Sequence, residues 1–106
     1  MWSVDDVKKK VSEHKLVVFA KGTKEQPMCG FSHRAIHVMN LLGKPFEVVN
    51  IFDDPSIRPA LVEAFEWPTT PQVFVNGELL GGSDIVLEMY ESGELQSKVD
   101  AAFAGA

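Results

Sequence analysis

The sequence predicts an α/β protein, a four-stranded mixed sheet flanked by about five helices, and three observations carry that expectation. Leu16-Val17-Val18-Phe19-Ala20 is apolar on both faces, which suits an interior, parallel strand rather than a half-solvated one. Apolar residues then recur at steps of three and four through Phe31, Ala35, Ile36, Met39 and Leu42, a helical face that separates this strand from the next apolar run. Strand, helix, strand at this spacing is a parallel crossover unit. Further on, Gln72-Val73-Phe74-Val75, Asn76-Gly77 and Glu78-Leu79-Leu80 form a strong hairpin signal, so the sheet must be mixed.

The elements follow in order. Ser3 and Asp6 resemble a capping box, and Val4, Val7 and Val11 repeat at helical spacing, giving a first helix over Val4 to Glu13. The Leu16 to Ala20 strand comes next. The second helix starts at Cys29 and stops at Gly43 and Pro45, a C-terminal stop pair. Phe46 to Phe52 supplies the second strand. After an Asp53-Asp54-Pro55 turn, Ile57 to Phe65 makes a third helix, with Pro59 tolerable in its first turn. Gly81-Gly82-Ser83-Asp84, behind the hairpin, reads as a glycine turn and a capping residue ahead of a fourth helix carrying Ile85, Val86, Met89 and Tyr90. Gly93 separates it from a last helix, Glu94 to about Phe103.

At 106 residues, 45% of them hydrophobic, the chain is expected to form a single domain over residues 1–106. The net charge of -5 and the lack of a basic cluster argue against nucleic acid as a partner. No apolar run approaches the roughly 18 residues that span a bilayer, and no signal-peptide or transit pattern stands at the N-terminus, so a soluble protein is expected. One cysteine cannot form an internal disulfide. A reducing intracellular compartment follows: the cytoplasm or, if a targeting peptide has been removed, the mitochondrial matrix.

That cysteine, Cys29, lies in Pro27-Met28-Cys29-Gly30-Phe31-Ser32 at a strand-to-helix junction. The first turn of a helix carries unpaired N–H groups and the positive end of the macrodipole, both of which favour a thiolate. Pro27 fixes the approach, and Gly30 lets another backbone come close. Lys21 ends the first strand on the same side, where its ammonium can lower the thiol pKa and hold a ligand carboxylate. Thr70-Pro71 precedes a strand. A cis peptide there would turn the Thr70 N–H and C=O outward, where an extended peptide could pair with them. Gly82-Ser83-Asp84, at a helix N-terminus, offers N–H groups to a carboxylate, and the Asp84 carboxylate can take an ammonium.

Other candidates carry less. Cys29, His33 and His37 share a helical stripe, but i to i+8 spans about 12 Å along the axis, too far for one metal ion. His33 and His37 read as exposed surface residues. Trp67 packs against or lines the approach to Cys29, and Trp2 and the acidic pairs Asp5-Asp6 and Asp53-Asp54 read as solvated termini and turns.

Taken together, Lys21-Gly22-Thr23, Cys29-Gly30-Phe31-Ser32, Trp67-Pro68-Thr69-Thr70-Pro71-Gln72 and Gly81-Gly82-Ser83-Asp84-Ile85-Val86 resemble the monothiol glutaredoxins of the Cys-Gly-Phe-Ser type, which have a thioredoxin fold. The resemblance covers essentially the whole chain, in order. It implies a glutathione site: Lys21 and Arg58 take the glycine carboxylate, Thr70, beside Pro71, pairs with the cysteinyl backbone, and Gly82, Ser83 and Asp84 hold the γ-glutamyl end. It also implies that Cys29 is both the reactive thiol and a ligand of a 2Fe-2S cluster bridging two subunits. Such a cluster takes four ligands, so one Cys per chain requires two chains and two external thiols, which glutathione would supply.

The partners implied are a second copy when the cluster is loaded, iron-sulfur acceptor proteins and BolA-type proteins. The activity implied is iron-sulfur cluster transfer or assembly. The alternative is a glutathione-dependent thiol-disulfide oxidoreductase that removes glutathione from proteins. Ser32 stands where a dithiol relative has its second cysteine, so a mixed disulfide must be cleared by an outside thiol. Two residues depart from the common pattern: Thr70, where many relatives have a β-branched or aromatic apolar residue, and Ser83, where many have another cysteine.

Overall fold

A computed structural model describes residues 1–104. Its elements run α1 (Val4–Glu13), β1 (Leu16–Ala20), α2 (Gly30–Leu41), β2 (Glu47–Asn50), α3 (Ile57–Phe65), β3 (Gln72–Val75), β4 (Glu78–Gly81), α4 (Ser83–Ser92) and α5 (Glu94–Ala104). The sheet order is β2-β1-β3-β4. β1 is parallel to β2 and antiparallel to β3, which pairs with β4 through the Asn76-Gly77 hairpin.

The central position of β1 explains its unbroken apolar run. Successive strand side chains point to opposite faces, and here both faces are covered. Leu16, Val18 and Ala20 enter one cluster with Ala35, Met39, Val86, Leu95 and Val99 of α2, α4 and α5. Val17 and Phe19 enter the other, with Val7 and Val11 of α1 and Ile57 and Leu61 of α3. Phe19 and Phe74 meet edge to face there, centroids 5.8 Å apart, a favoured aromatic geometry. Full burial of each such side chain contributes about 1.5–3 kcal/mol. The result is a three-layer arrangement in which the sheet is fixed from both sides.

The capping box of α1 is present. Ser3 Oγ accepts the Asp6 N–H at 3.2 Å, and an Asp6 carboxylate oxygen accepts the Ser3 N–H at 2.8 Å. Those bonds hold the Asp6 carboxyl below its ordinary pKa of 3.8.

Three expectations are corrected. β2 is shorter than Phe46 to Phe52, because Asn50 Oδ1 accepts the Phe52 N–H at 3.0 Å and turns the chain out of the sheet. The cap of α4 is Gly82, with no side-chain cap bond, and Ser83 is the buried first residue of the helix. Trp2 is not a solvated terminus: its ring packs edge-on against Phe19 at 6.5 Å, and its N–H bonds to Ser56 Oγ.

Candidate functional site

The C-terminal end of β1, the N-terminal end of β3 and the C-terminal end of β4 lie along one edge of the sheet, as their pairing directions require. Lys21, Thr70-Pro71 and Gly82 are the residues at those ends, so the topology alone brings three distant segments together.

Cys29 is the N-cap of α2. The position is ordinarily filled by a small oxygen-bearing side chain that accepts an N–H of the first turn, and here the sulfur does so, taking the Ser32 N–H at 3.3 Å. Sγ and Ser32 Oγ lie 3.4 Å apart, so the hydroxyl donates to sulfur once the thiol has ionised. Ser32 is fully buried, and its Oγ also accepts the Lys21 N–H at 3.0 Å. No acidic residue stands in the first turn of α2 to compete for its positive end.

Partial burial pushes the thiol up. The Ser32 hydroxyl, the Ser32 and Phe31 N–H groups and the Lys21 charge together outweigh it, leaving the pKa below the ordinary 9.0. Lys21 contributes to this as expected, but less than the hydrogen bonds do. Ser32 is thus more than the absence of a second cysteine: it is the principal stabiliser of the thiolate. Sequence spacing places a serine at the third helical position but does not reveal that it is buried.

The loop before Cys29 folds back on Gly22. Met28 N–H bonds to Lys21 O at 2.8 Å, Thr23 N–H to Gln26 O at 3.1 Å, and Gly22 N–H to Asn50 Oδ1 at 3.0 Å. Gly22 has φ +100°, and a Cβ there would stand 2.4 Å from Gln26 O and 2.6 Å from Met28 N. Only glycine fits. Gly30 contrasts with it, because a Cβ there would meet nothing within 4 Å. Its open side is not used by this chain's own backbone.

Beside the thiol lies a cleft of about 490 Å³. Lys21, Arg58, Thr70, Pro71, Gly82, Ser83 and Asp84 all line it. Cys29 stands next to the lining, joined to it through Phe31 and Lys21. The Thr70-Pro71 bond is cis. Arg58 reaches over the cleft wall to Pro68 O at 3.4 Å. Asp84 does not stand alone: its Oδ1 pairs with Arg34 at 2.9 Å, an exposed pair that is easily screened. Arg34 was not apparent as a neighbour because α2 and α4 meet only through tertiary packing.

The cleft wall also includes Phe31, Trp67, Thr69 and Ile85, so Trp67 lines the approach as its position beside Pro68 predicts. Phe31 and Met28 are strongly exposed, at 58% and 69%, and give the thiol an apolar surround. The His33 and His37 rings stack on the exposed face of α2 with centroids 6.5 Å apart. Among the described residues no group of three or more His, Cys, Asp or Glu side chains is placed to hold a metal ion, and no helix is long and apolar enough to cross a membrane.

Comparison with known proteins bears on the family and the fold. The glutaredoxin family profile matches residues 16–80. A monothiol glutaredoxin of Synechocystis, described as ycf64-like and uncharacterized, is 49% identical over 94 residues, covering 89% of this chain and 88% of that protein. The chloroplastic monothiol glutaredoxin-S14 of Arabidopsis thaliana is 45% identical over 98 residues, covering 92% of this chain but only 57% of that longer protein. The solution structure of reduced poplar apo GrxS14 superposes with a TM-score of 0.82 at 45% identity, covering 94% of this chain and 92% of that one. A crystal structure of a buckwheat glutaredoxin–glutathione complex superposes at 0.83 with 26% identity, covering 95% and 90%. The fold is accordingly the thioredoxin-like one that glutaredoxins share. By its matched domain, its overall similarity and its single thiol, the chain belongs to the glutaredoxin family, among the monothiol members.

Proposed function

We propose that this chain acts as one glutaredoxin unit that binds glutathione in the cleft and, with it, a 2Fe-2S cluster shared between two copies, for delivery to acceptor proteins or for sharing with BolA-type partners. The supporting observation is a thiol of lowered pKa beside a cleft whose polar groups match glutathione. Lys21 and Arg58 supply two cations for the glycine carboxylate. Thr70, next to Pro71, supplies backbone groups for the cysteinyl residue. The first turn of α4, at Gly82 and Ser83, supplies N–H groups for the γ-glutamyl carboxylate, while Asp84 supplies a carboxylate for its ammonium. That ammonium meets Asp84 in competition with Arg34.

Each Cys29 would supply one ligand of the cluster and each glutathione another, so the count of four closes on two chains. The open side of Gly30 leaves room beside the thiol for that assembly. A reducing compartment, cytoplasmic or mitochondrial, is consistent with a thiol that must stay free.

Anaerobic reconstitution with iron, sulfide and glutathione, followed by visible absorption and sizing, tests the reading. The wild type should become coloured and dimeric only when glutathione is present, and Cys29→Ser should stay colourless and monomeric. Replacing Ser83 by Ala should spare the colour. A wild type that stays colourless and monomeric while rapidly removing glutathione from protein thiols would sink the carrier reading and leave the oxidoreductase one.

A further inference from the structure

The segment that carries Thr70 is shaped almost wholly by side chains. Between the end of α3 and the start of β3, the carbonyls of Trp67, Pro68 and Thr69 make no hydrogen bond to other backbone groups among the described residues. All three accept from side chains instead. Gln72 Nε2 donates to Trp67 O at 2.9 Å and to Thr69 O at 3.0 Å, while Arg58 donates to Pro68 O. Of the two ends of a glutamine amide only the NH2 donates, which decides which end of Gln72 faces the segment. Gln72 is the first residue of β3 and is fully buried.

We infer that Gln72 is a positioning residue for peptide recognition, its buried amide setting the direction of the Thr70 N–H. Thr69 C=O and Thr70 N–H belong to one planar, trans peptide unit, in which the two groups point opposite ways. Holding the carbonyl inward on Gln72 turns the N–H outward, away from the buried amide. That N–H makes no hydrogen bond among the described residues, so it is free for an incoming backbone. Freed of Gln72, the Thr69 carbonyl would turn to water, and the N–H would swing inward. The inference rests on the reading of the cleft as a glutathione site.

Gln72 Oε1 is buried with no partner among the described residues, and burying an unpaired polar atom is unfavourable. A methionine of similar length would fill the space without that penalty, but would leave the Trp67 and Thr69 carbonyls without their donor. Binding should therefore be separated from thiol reactivity rather than from stability.

Calorimetric titration with glutathione should show Gln72→Met binding about tenfold more weakly, the scale expected for losing one or two directed backbone hydrogen bonds. Its Tm should fall, since the Trp67 and Thr69 carbonyls lose their donor, but the pH profile of Cys29 alkylation should not move. Gln72→Glu, which keeps the shape but has at most one donor, serves if the Met variant does not fold, and it should also bind more weakly. Unchanged glutathione affinity in the folded variant overturns the inference. So does a shifted alkylation profile, which would mean that Gln72 merely supports the site as a whole. A wild type that does not bind glutathione defeats the cleft reading itself and this inference with it.

Discussion

The two halves of the site are built in opposite ways. Around Cys29, residues 21–32 form a closed network in which the loop folds on Gly22 and the Ser32 hydroxyl bridges the sulfur and the Lys21 N–H. Around Thr70, residues 67–72 leave Trp67 Nε1, Thr70 Oγ1 and Gln72 Oε1 buried and unpartnered, and the Thr70 N–H makes no bond among the described residues. One half is complete before anything binds, because a thiolate must be stabilised in advance. The other is held open, which under the proposed function leaves the Thr70 N–H for a ligand backbone. Preorganised charge and unsatisfied edge are two solutions to two tasks within one cleft.

Gly22→Ala should break the first half most severely. A side chain at φ +100° with a Cβ 2.4 Å from a backbone oxygen must distort the loop, and strain of this kind costs about 1–3 kcal/mol before the clash is added. Thermal unfolding should show a large drop in Tm. An unchanged Tm would mean that the loop is not the fixed element described.

Ser32→Ala should act next, and in a more selective way. Loss of the hydroxyl raises the thiol pKa toward 9.0 and leaves the Lys21 N–H unpartnered, at a cost of about 1–3 kcal/mol. Iodoacetamide alkylation at neutral pH should slow several-fold, with its midpoint moved to higher pH. The linkage has a definite sign. A thiol whose folded pKa is lowered adds stability that is fully present above its unfolded value, near 9.0, and is lost as pH falls through the folded value. Relative to Cys29→Ser, the wild type should therefore gain stability as pH rises across that interval, and Ser32→Ala should narrow the interval.

Thr70→Val is the mildest change and bears on the open half. The Thr70 hydroxyl is buried and bonds to nothing described, so an isosteric apolar side chain should raise stability by up to about 1 kcal/mol. Glutathione affinity should be kept, since in the proposed reading the backbone rather than the hydroxyl does the pairing. A loss of stability would show that the hydroxyl has a partner after all.

These contrasts also show what could be read from the sequence. Periodicity located every helix and strand, because β1 is apolar on both faces and Asn76-Gly77 admits little but a hairpin. All seven residues expected around the ligand besides Cys29 line one cleft, since their motifs sit at strand and helix ends that the topology aligns. What stayed hidden depends on side-chain direction. Ser32 reads as a missing cysteine, Asp84 as an unpaired carboxylate and Gln72 as a plain strand residue, yet each is defined by a partner: Cys29, Arg34 and the Trp67 and Thr69 carbonyls. The end of β2 was misplaced for the same reason, because a single Asn50 side-chain bond overrides an apolar run.

The central place of β1 bears on how the molecule comes into being. Its register joins Leu16 to Val75 and Phe19 to Gln72, contacts 59 and 53 residues apart in sequence. Such distant pairings are slow to form, since the intervening chain must first be brought together. A nascent chain that has emerged only through α2 already exposes Cys29, while Thr70 and Gly82 have yet to emerge. During synthesis the thiol therefore exists before its cleft, and the site acquires selectivity only when the hairpin docks.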